Sequence, residues 1–145
     1  MSDKQQFVAT ATVTANADVG DVWAIWEDVN AWANWDQGLD RTEYRGTFRP
    51  GTRYTLVPHG GEAVEAMLKT VTPGAEFSDE VTLPFGVLRR FHRVEKLGSR
   101  VKISHEMQAE IEEHASTFFA KEIWPHMQIG LPVSLNNIVG LIEPR

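Results

Sequence analysis

From residue 39 to residue 112 the chain alternates between strand-like segments and short turns, and no helical pattern interrupts them. The predicted strands cover residues 40–48, 52–58, 62–71, 76–83, 87–95 and 100–112. The turns between them carry Gly, Pro or Ser, which suit the backbone angles of tight connections. Because connections this short join antiparallel neighbours, the pattern predicts an antiparallel meander and excludes a doubly wound parallel sheet.

The clearest alternation lies in the last of these strands, residues 100–112. One series is apolar except for a single histidine: Val101, Ile103, His105, Met107, Ala109 and Ile111. The other series, which begins at Lys102, is polar and suited to water, so the first series faces the core. His105 therefore lies in an apolar row, where an imidazole must find a hydrogen-bond partner or stay neutral with a lowered pKa.

Two further segments complete the predicted order of elements. Residues 7–13 alternate like a strand, and a helical pattern follows from the capping residue Asp18 to about Asn30, with a second short helical turn at 31–35. The order predicts an α+β fold in one domain of residues 1–145. In it a curved antiparallel sheet of about seven strands wraps a long C-terminal helix, with two short helices after the first strand.

The last helix is predicted from an apolar stripe that follows Ser116, which we interpret as its N-cap. The stripe consists of Phe119, Ile123, Trp124, Met127, Leu131, Leu135, Ile138 and Ile142. Pro125 and Pro132 lie inside this stretch and predict a kink or a division of the helix.

Composition excludes several classes of function. The chain has 145 residues, a formal net charge of −6 and no Cys, so it has neither a disulfide nor a Cys nucleophile, and nucleic acid is an unfavourable partner. Residues 1–6 are polar, and no stretch approaches the roughly 20 apolar residues of a membrane span. We therefore expect a cytoplasmic protein without a membrane span, as a monomer or a homodimer.

Several motifs together resemble one known family. Residues 13–23, with the pair Val22 and Trp23, resemble the opening of the polyketide cyclase/dehydrase family in the START-like (SRPBCC) superfamily. Residues 30–36 resemble its turn from Asn30 to Trp35, and 51–54, 71–74 and 98–101 resemble its later turns. The resemblance implies a helix-grip fold, with a ligand cavity between the sheet and the C-terminal helix. It leaves the activity open, because such folds serve as lipid carriers, hormone receptors and aromatase/cyclases.

The candidate cavity residues lie on the strands, turns and helix that would enclose this space. They are His105, Trp124, Arg90, His92, Met107, Ile103, Met127, Leu131, Tyr54 and Trp35. We expect His105 and Trp124 to face a common cavity, because an apolar sheet face and an apolar helical stripe are buried against each other. Core packing is the alternative role for the tryptophans.

The orientation of Arg90 and His92 depends on the hairpin before the last strand. If Leu97 and Gly98 form the turn, Arg90 lies opposite His105 and His92 is a diagonal neighbour, ~7 Å away, so that the three form a polar cluster on the cavity wall. A one-residue bulge would instead turn Arg90 and His92 to solvent. Both arrangements remain open on the sequence.

The remaining polar residues show no motif for a metal or a cofactor. The five histidines lack the short ligand spacings of metal sites, and the chain has no phosphate-binding Gly loop and no Rossmann fingerprint. We expect no metal and no cofactor. A set of strand carboxylates is expected on the solvated outer face: Glu62, Glu65, Glu76, Asp79 and Glu80.

Two functions fit these features. The favoured one is binding of a small hydrophobic or aromatic ligand, such as a lipid, an isoprenoid or a polyketide-like molecule, in the internal cavity. The alternative is an enzyme of the polyketide cyclase/dehydratase type, in which Arg90 with His92 or His105 would supply a base and a donor to a carbonyl oxygen. A protein-binding groove is a third possibility, and whether any reaction is catalysed stays open.

Overall fold

The computed structural model describes residues 3–144 and contains one seven-stranded antiparallel sheet of order β1-β7-β6-β5-β4-β3-β2. The strands are β1 (Lys4–Ala15), β2 (Leu39–Tyr44), β3 (Arg53–Pro58), β4 (Val64–Thr72), β5 (Glu76–Leu83), β6 (Gly86–Leu97) and β7 (Arg100–Glu112). This confirms the predicted curved sheet and its strand number. β2 is shorter than predicted and ends at Tyr44, whose hydroxyl donates to the Thr47 carbonyl at 2.6 Å in the loop that follows.

Two short helices follow β1, as predicted. Helix α1 (Val19–Glu27) begins after Asp18, whose backbone N–H donates to the Asp21 carboxylate at 2.9 Å. A 3-10 helix (Val29–Asn34) continues from it and ends beside Trp35. Together with Trp35, which follows them, they carry four tryptophans to the concave side of the sheet, where Trp26 and Trp32 are fully buried.

The C-terminal helical stretch has three parts: α2 (Glu113–Phe118), a π-helical turn (Phe119–Ile123) and α3 (Trp124–Ile142). It begins at Glu113, so Ser116 is not its cap. The Ser116 hydroxyl instead donates to the Glu113 carbonyl at 2.9 Å within the first turn. The division predicted from Pro125 falls at the π turn, because proline has no N–H to donate to the preceding turn. Pro132 lies inside α3 without ending it.

The core lies between the concave face of the sheet and α3. The inward series of β7 is buried except for the partly buried Met107, with Ile103, Ala109 and Ile111 fully enclosed. Leu135 and Ile138 of α3 pack above the sheet. Within residues 3–144, no helix is long and apolar enough to cross a membrane.

Candidate functional site

A cavity of about 420 Å³ lies between the sheet and α3, within the size range typical of small-molecule sites. Its wall is mainly apolar and includes Trp35, Leu56, Leu88, Met107, Met127 and Leu131. Polar side chains enter it from β6 and β7, namely Arg90, His92 and His105. The cavity therefore combines an apolar wall with a small polar region on the sheet.

Arg90 and His92 point toward the concave face of the sheet. They are 6% and 4% exposed, in the buried series of β6 that also contains Leu88 and Val94. The bulge that would have turned them to solvent does not occur, since β6 and β7 pair in one continuous register from Gly86 to Leu97.

The predicted hairpin register was wrong by two residues. The turn is formed by Gly98 and Ser99, and it places His92 directly opposite His105, while Arg90 lies opposite Met107. Gly98 has a φ of 60°, a left-handed conformation that favours glycine at this turn. A shift of two residues keeps every side chain on its face, so both histidines are still brought together, with ring centroids 4.6 Å apart.

Arg90 forms a buried ion pair with Asp79. Its Nε donates to Asp79 Oδ1 at 2.8 Å and its Nη2 to Oδ2 at 2.5 Å, and the Tyr54 hydroxyl also donates to this carboxylate. The expectation that Asp79 faces solvent was wrong. Asp79 is 1% exposed because it lies opposite Arg90 on the neighbouring strand, and a carboxylate is tolerated there only beside a cation.

The ion pair keeps the Arg90 guanidinium charged and engages two of its nitrogens as donors to Asp79. Burial alone would lower the pKa of Arg90, but the charge and hydrogen bonds of Asp79 outweigh it, and the pKa lies above its ordinary value. Burial and the Asp79 charge raise the pKa of Tyr54, which stays a neutral donor. The guanidinium carbon also lies 5.5 Å from the centroid of the Trp32 ring.

A second carboxylate, Asp36, approaches Arg90 from the turn after the 3-10 helix. Its Oδ2 is 3.5 Å from Arg90 Nη1, and its Oδ1 accepts the Gly38 backbone N–H at 3.1 Å. Burial raises the pKa of Asp36 against the opposing effect of Arg90. Asp36 lines the cavity, and sequence reasoning missed it, although its place directly after Trp35 was a usable signal.

Both inward histidines are neutral at ordinary pH. Burial lowers the pKa of His92 well below its usual value, and the charge of Arg90 adds to the effect. Burial also lowers the pKa of His105, with further contributions from His92 and Arg90. The His92 ring stacks on Phe77 with centroids 4.0 Å apart and an angle of 3° between the ring planes.

Several buried ring nitrogens around these histidines lack a hydrogen-bond partner within residues 3–144. They are Nε1 of Trp26, Nε1 of Trp35, Nδ1 of His92 and Nε2 of His105. The Trp35 ring lies 5.6 Å from that of His105 and 6.3 Å from that of His92, centroid to centroid. Unsatisfied polar groups are thus concentrated where the polar region meets the aromatic wall.

The structure places three candidate residues away from the cavity wall. Trp124 packs against Phe7 and Phe119, with ring centroids 5.6 Å and 5.8 Å away, so it does not share the cavity with His105. The wider π turn before Trp124 changes the helical phase, and Ile123 and Met127 line the cavity instead.

The other two lie near the cavity but behind its wall. Ile103 is fully buried in the core, and Tyr54 stands behind Arg90, where it contacts Asp79. The remaining seven candidates line the cavity, namely His105, Arg90, His92, Met107, Met127, Leu131 and Trp35. In the described part of the chain, no three His, Asp or Glu side chains are grouped as metal ligands.

Comparison with known proteins agrees with this architecture. Among solved structures, a hypothetical protein from Helicobacter pylori has a TM-score of 0.79 at 17% identity, over 94% of this chain and 88% of that one. The Zhui aromatase/cyclase from Streptomyces sp. R1128 has a TM-score of 0.75 at 17% identity, over 94% and 93%. Norcoclaurine synthase from Thalictrum flavum has a TM-score of 0.74 at 12% identity, over 97% and 96%. The TM-scores show a shared fold, and at identities this low the similarity shows the fold alone.

The family is established by a different comparison. No curated protein sequence matches this chain. A family model described as polyketide cyclase / dehydrase and lipid transport matches residues 6–131, a span that runs from within β1 into α3 and includes β2 to β7 in full. The chain therefore belongs to the polyketide cyclase/dehydrase family, with the helix-grip fold that its sequence motifs implied.

Proposed function

We propose that this protein binds a small, largely apolar ligand with an aromatic or other hydrophobic body in the cavity between the sheet and α3. The observation that carries the proposal is the cavity of about 420 Å³ with its mainly apolar wall. A soluble ligand gains roughly 25 cal/mol for each Å² of apolar surface that it buries there. A ring system that buries about 300 Å² gains about 7 kcal/mol before the cost of association, so we expect a Kd in the micromolar range or weaker.

The arrangement of Arg90 supports binding over catalysis. A base and a group that polarises a carbonyl oxygen are both needed to remove a proton beside a carbonyl. The guanidinium of Arg90 is already held by Asp79 on two nitrogens and approached by Asp36 on the third, which leaves it little capacity for a substrate oxygen.

A direct test uses the neutral fluorescent probe N-phenyl-1-naphthylamine. Met127→Trp fills the cavity from α3, and we expect it to weaken probe binding at least about tenfold, since a bulky ring occupies the ligand's space. Ile129→Trp is the matched control, because Ile129 lies on the same helix, is 63% exposed and does not line the cavity. Equal binding by both variants would contradict the proposal.

A second candidate function is that of a cyclase or dehydratase. It is favoured by one observation, the neutral imidazole of His105 at the cavity wall with an unpartnered Nε2. Such an imidazole can accept a proton. The test is incubation with a poly-β-ketone thioester mimic, followed by mass spectrometry for the loss of water. Conversion that disappears in His105→Leu, while probe binding is retained, would favour the enzyme. Absence of conversion by a wild type that binds the mimic would favour binding alone.

A further inference from the structure

Resting on the proposed binding function, we infer that the cavity selects an uncharged ligand that carries a hydroxyl group, and that His105 and Trp35 hold this hydroxyl at the buried end of the ligand. The inference combines two independent features of the cavity. One is a pair of enclosed, unpartnered ring nitrogens on two residues that line it, and the other is the balance of charge around it.

The first feature is the pair of rings at the polar end of the cavity. His105 and Trp35 are each 3% exposed, both line the cavity, and their ring centroids lie 5.6 Å apart. Nε2 of His105 and Nε1 of Trp35 have no hydrogen-bond partner in the described chain. A buried polar group without a hydrogen-bond partner is destabilising. A ligand atom that pairs with these nitrogens therefore gains more binding free energy than one that meets polar groups already hydrogen-bonded within the protein.

The chemistry of a neutral imidazole favours a hydroxyl as that ligand group. A neutral imidazole has one N–H donor and one acceptor nitrogen, and the indole N–H only donates. A hydroxyl both donates and accepts, so it can pair with either nitrogen of His105 while it accepts from Trp35. The second side-chain torsion of histidine is soft, so the ring can turn a nitrogen toward the ligand at small cost.

The second feature is a lack of free positive charge. Arg90 is the one Lys or Arg among the described residues that line the cavity, and its charge is matched by Asp79. Three acidic residues, Asp36, Glu106 and Glu122, also line the cavity, and the Glu106 carboxylate lies 3.5 Å from Arg93 Nη1. His59 and His126 also line the cavity, and His59 Nδ1 lies 3.6 Å from Asp40 Oδ1. A ligand carboxylate would lose its hydration and meet no unpaired Lys or Arg, so acidic ligands such as fatty acids are selected against.

The test compares three ligands with the same ring system in wild type: 2-naphthol, 2-methylnaphthalene and 2-naphthoate, each at pH 7.5. We expect 2-naphthol to bind about fivefold to tenfold more tightly than 2-methylnaphthalene, as one net hydrogen bond allows. We expect 2-naphthoate to bind at least about tenfold more weakly than 2-naphthol. Equal binding of naphthol and methylnaphthalene overturns the inference and leaves the proposed function intact, whereas failure of all three to bind overturns the proposed function itself.

Variants then locate the hydroxyl. His105→Leu and Trp35→Phe each remove a nitrogen and keep the apolar bulk, so we expect the preference for 2-naphthol over 2-methylnaphthalene to fall to about twofold or less in each. Melting curves verify that each variant is folded. Asp36→Asn removes a carboxylate beside Arg90 that would repel a ligand carboxylate. We therefore expect it to reduce the difference in affinity between 2-naphthol and 2-naphthoate. The inference is overturned if both His105→Leu and Trp35→Phe fold and keep the full preference for 2-naphthol. It is also overturned if the difference in affinity between 2-naphthol and 2-naphthoate is unchanged in Asp36→Asn. The Asp36→Asn test applies even if the other two variants do not fold.

Discussion

His92 and His105 stand directly opposite each other on β6 and β7, with ring centroids 4.6 Å apart, and both are neutral in the folded protein. Because burial lowers both pKa values, the unfolded chain takes up protons as the pH falls through about 6.5 and the folded protein does not. The contribution of these two histidines to the free energy of unfolding is therefore present above about pH 6.5 and is lost progressively as the pH falls below it. We expect a loss of about 1 kcal/mol per histidine between pH 7 and pH 5.5.

Urea unfolding at several pH values measures this loss, and His105→Leu is the control. The variant should lose about half of the pH dependence, because one of the two titrating groups is gone. Burial raises the pKa of Asp36, which acts in the opposite sense at lower pH, since the folded protein then binds its proton more readily. The difference between variant and wild type removes that contribution. A difference that does not change with pH would show that His105 is not held neutral.

The buried ion pair supports a prediction about Asp79. We expect Asp79→Ala to lower the free energy of unfolding by about 3–5 kcal/mol, because the buried Arg90 charge then loses its two hydrogen-bonded contacts and keeps only the Asp36 carboxylate, 3.5 Å away. The exposed pair of Arg53 and Glu65, 3.0 Å apart, offers a control, and Glu65→Ala should change stability by less than about 1 kcal/mol. Denaturant unfolding of both variants measures these changes. Similar small losses of stability in Asp79→Ala and Glu65→Ala would contradict the account that burial makes the Arg90–Asp79 pair the costlier one to break.

Gly86 supports a prediction about packing between β6 and β7. A Cβ at this position would lie 2.2 Å from the Glu110 carbonyl oxygen and 3.0 Å from the Ile111 Cα, so backbone would have to move. We expect Gly86→Ala to cost about 1–3 kcal/mol of stability, measured by thermal or urea unfolding. Gly20 of α1 has no atom near its Cβ position, and Gly20→Ala should be neutral or stabilising. Equal effects of the two substitutions would refute this account.

Trp124 supports a prediction that separates stability from ligand binding. It is 7% exposed and packs with Phe7 and Phe119 outside the cavity. We expect Trp124→Ala to lower the free energy of unfolding by about 3–5 kcal/mol. The folded variant should still bind N-phenyl-1-naphthylamine with a Kd within about twofold of wild type. A large loss of affinity at a temperature where the variant is folded would place Trp124 in the ligand site after all.

The sheet could be predicted from the sequence because alternation is a local property. The bounds of β5 and β7 agree with the predicted ranges 76–83 and 100–112, and the inward series of β7 followed from its period of two. The register of the β6–β7 hairpin could not be found in this way, because a shift of two residues leaves the pattern on each face unchanged.

The parts of the site that escaped prediction depend on contacts between distant elements. Asp79 has a polar sequence context, and only its position opposite Arg90 explains why a carboxylate is buried there. Trp124 belongs to an apolar stripe with ordinary helical spacing. The π turn before it changes the direction in which the Trp124 side chain points, and such a turn produces no pattern of hydrophobic residues that could be detected in the sequence. Side-chain type thus indicated the candidates, and long-range pairing decided which of them face the cavity.

The place of β1 beside β7 has a consequence for the order of folding during synthesis. Strands β2 to β7 pair with neighbours in the chain, so each hairpin can form soon after it leaves the ribosome. β1 pairs with β7 alone, from Lys4 opposite Glu112 to Ala15 opposite Val101, and so must wait for most of the chain. Until then the edge of β7 is unpaired, and an unpaired strand edge is the kind of surface through which nascent chains aggregate. Closure of this longest loop therefore carries the largest entropic cost of any strand pairing in the sheet.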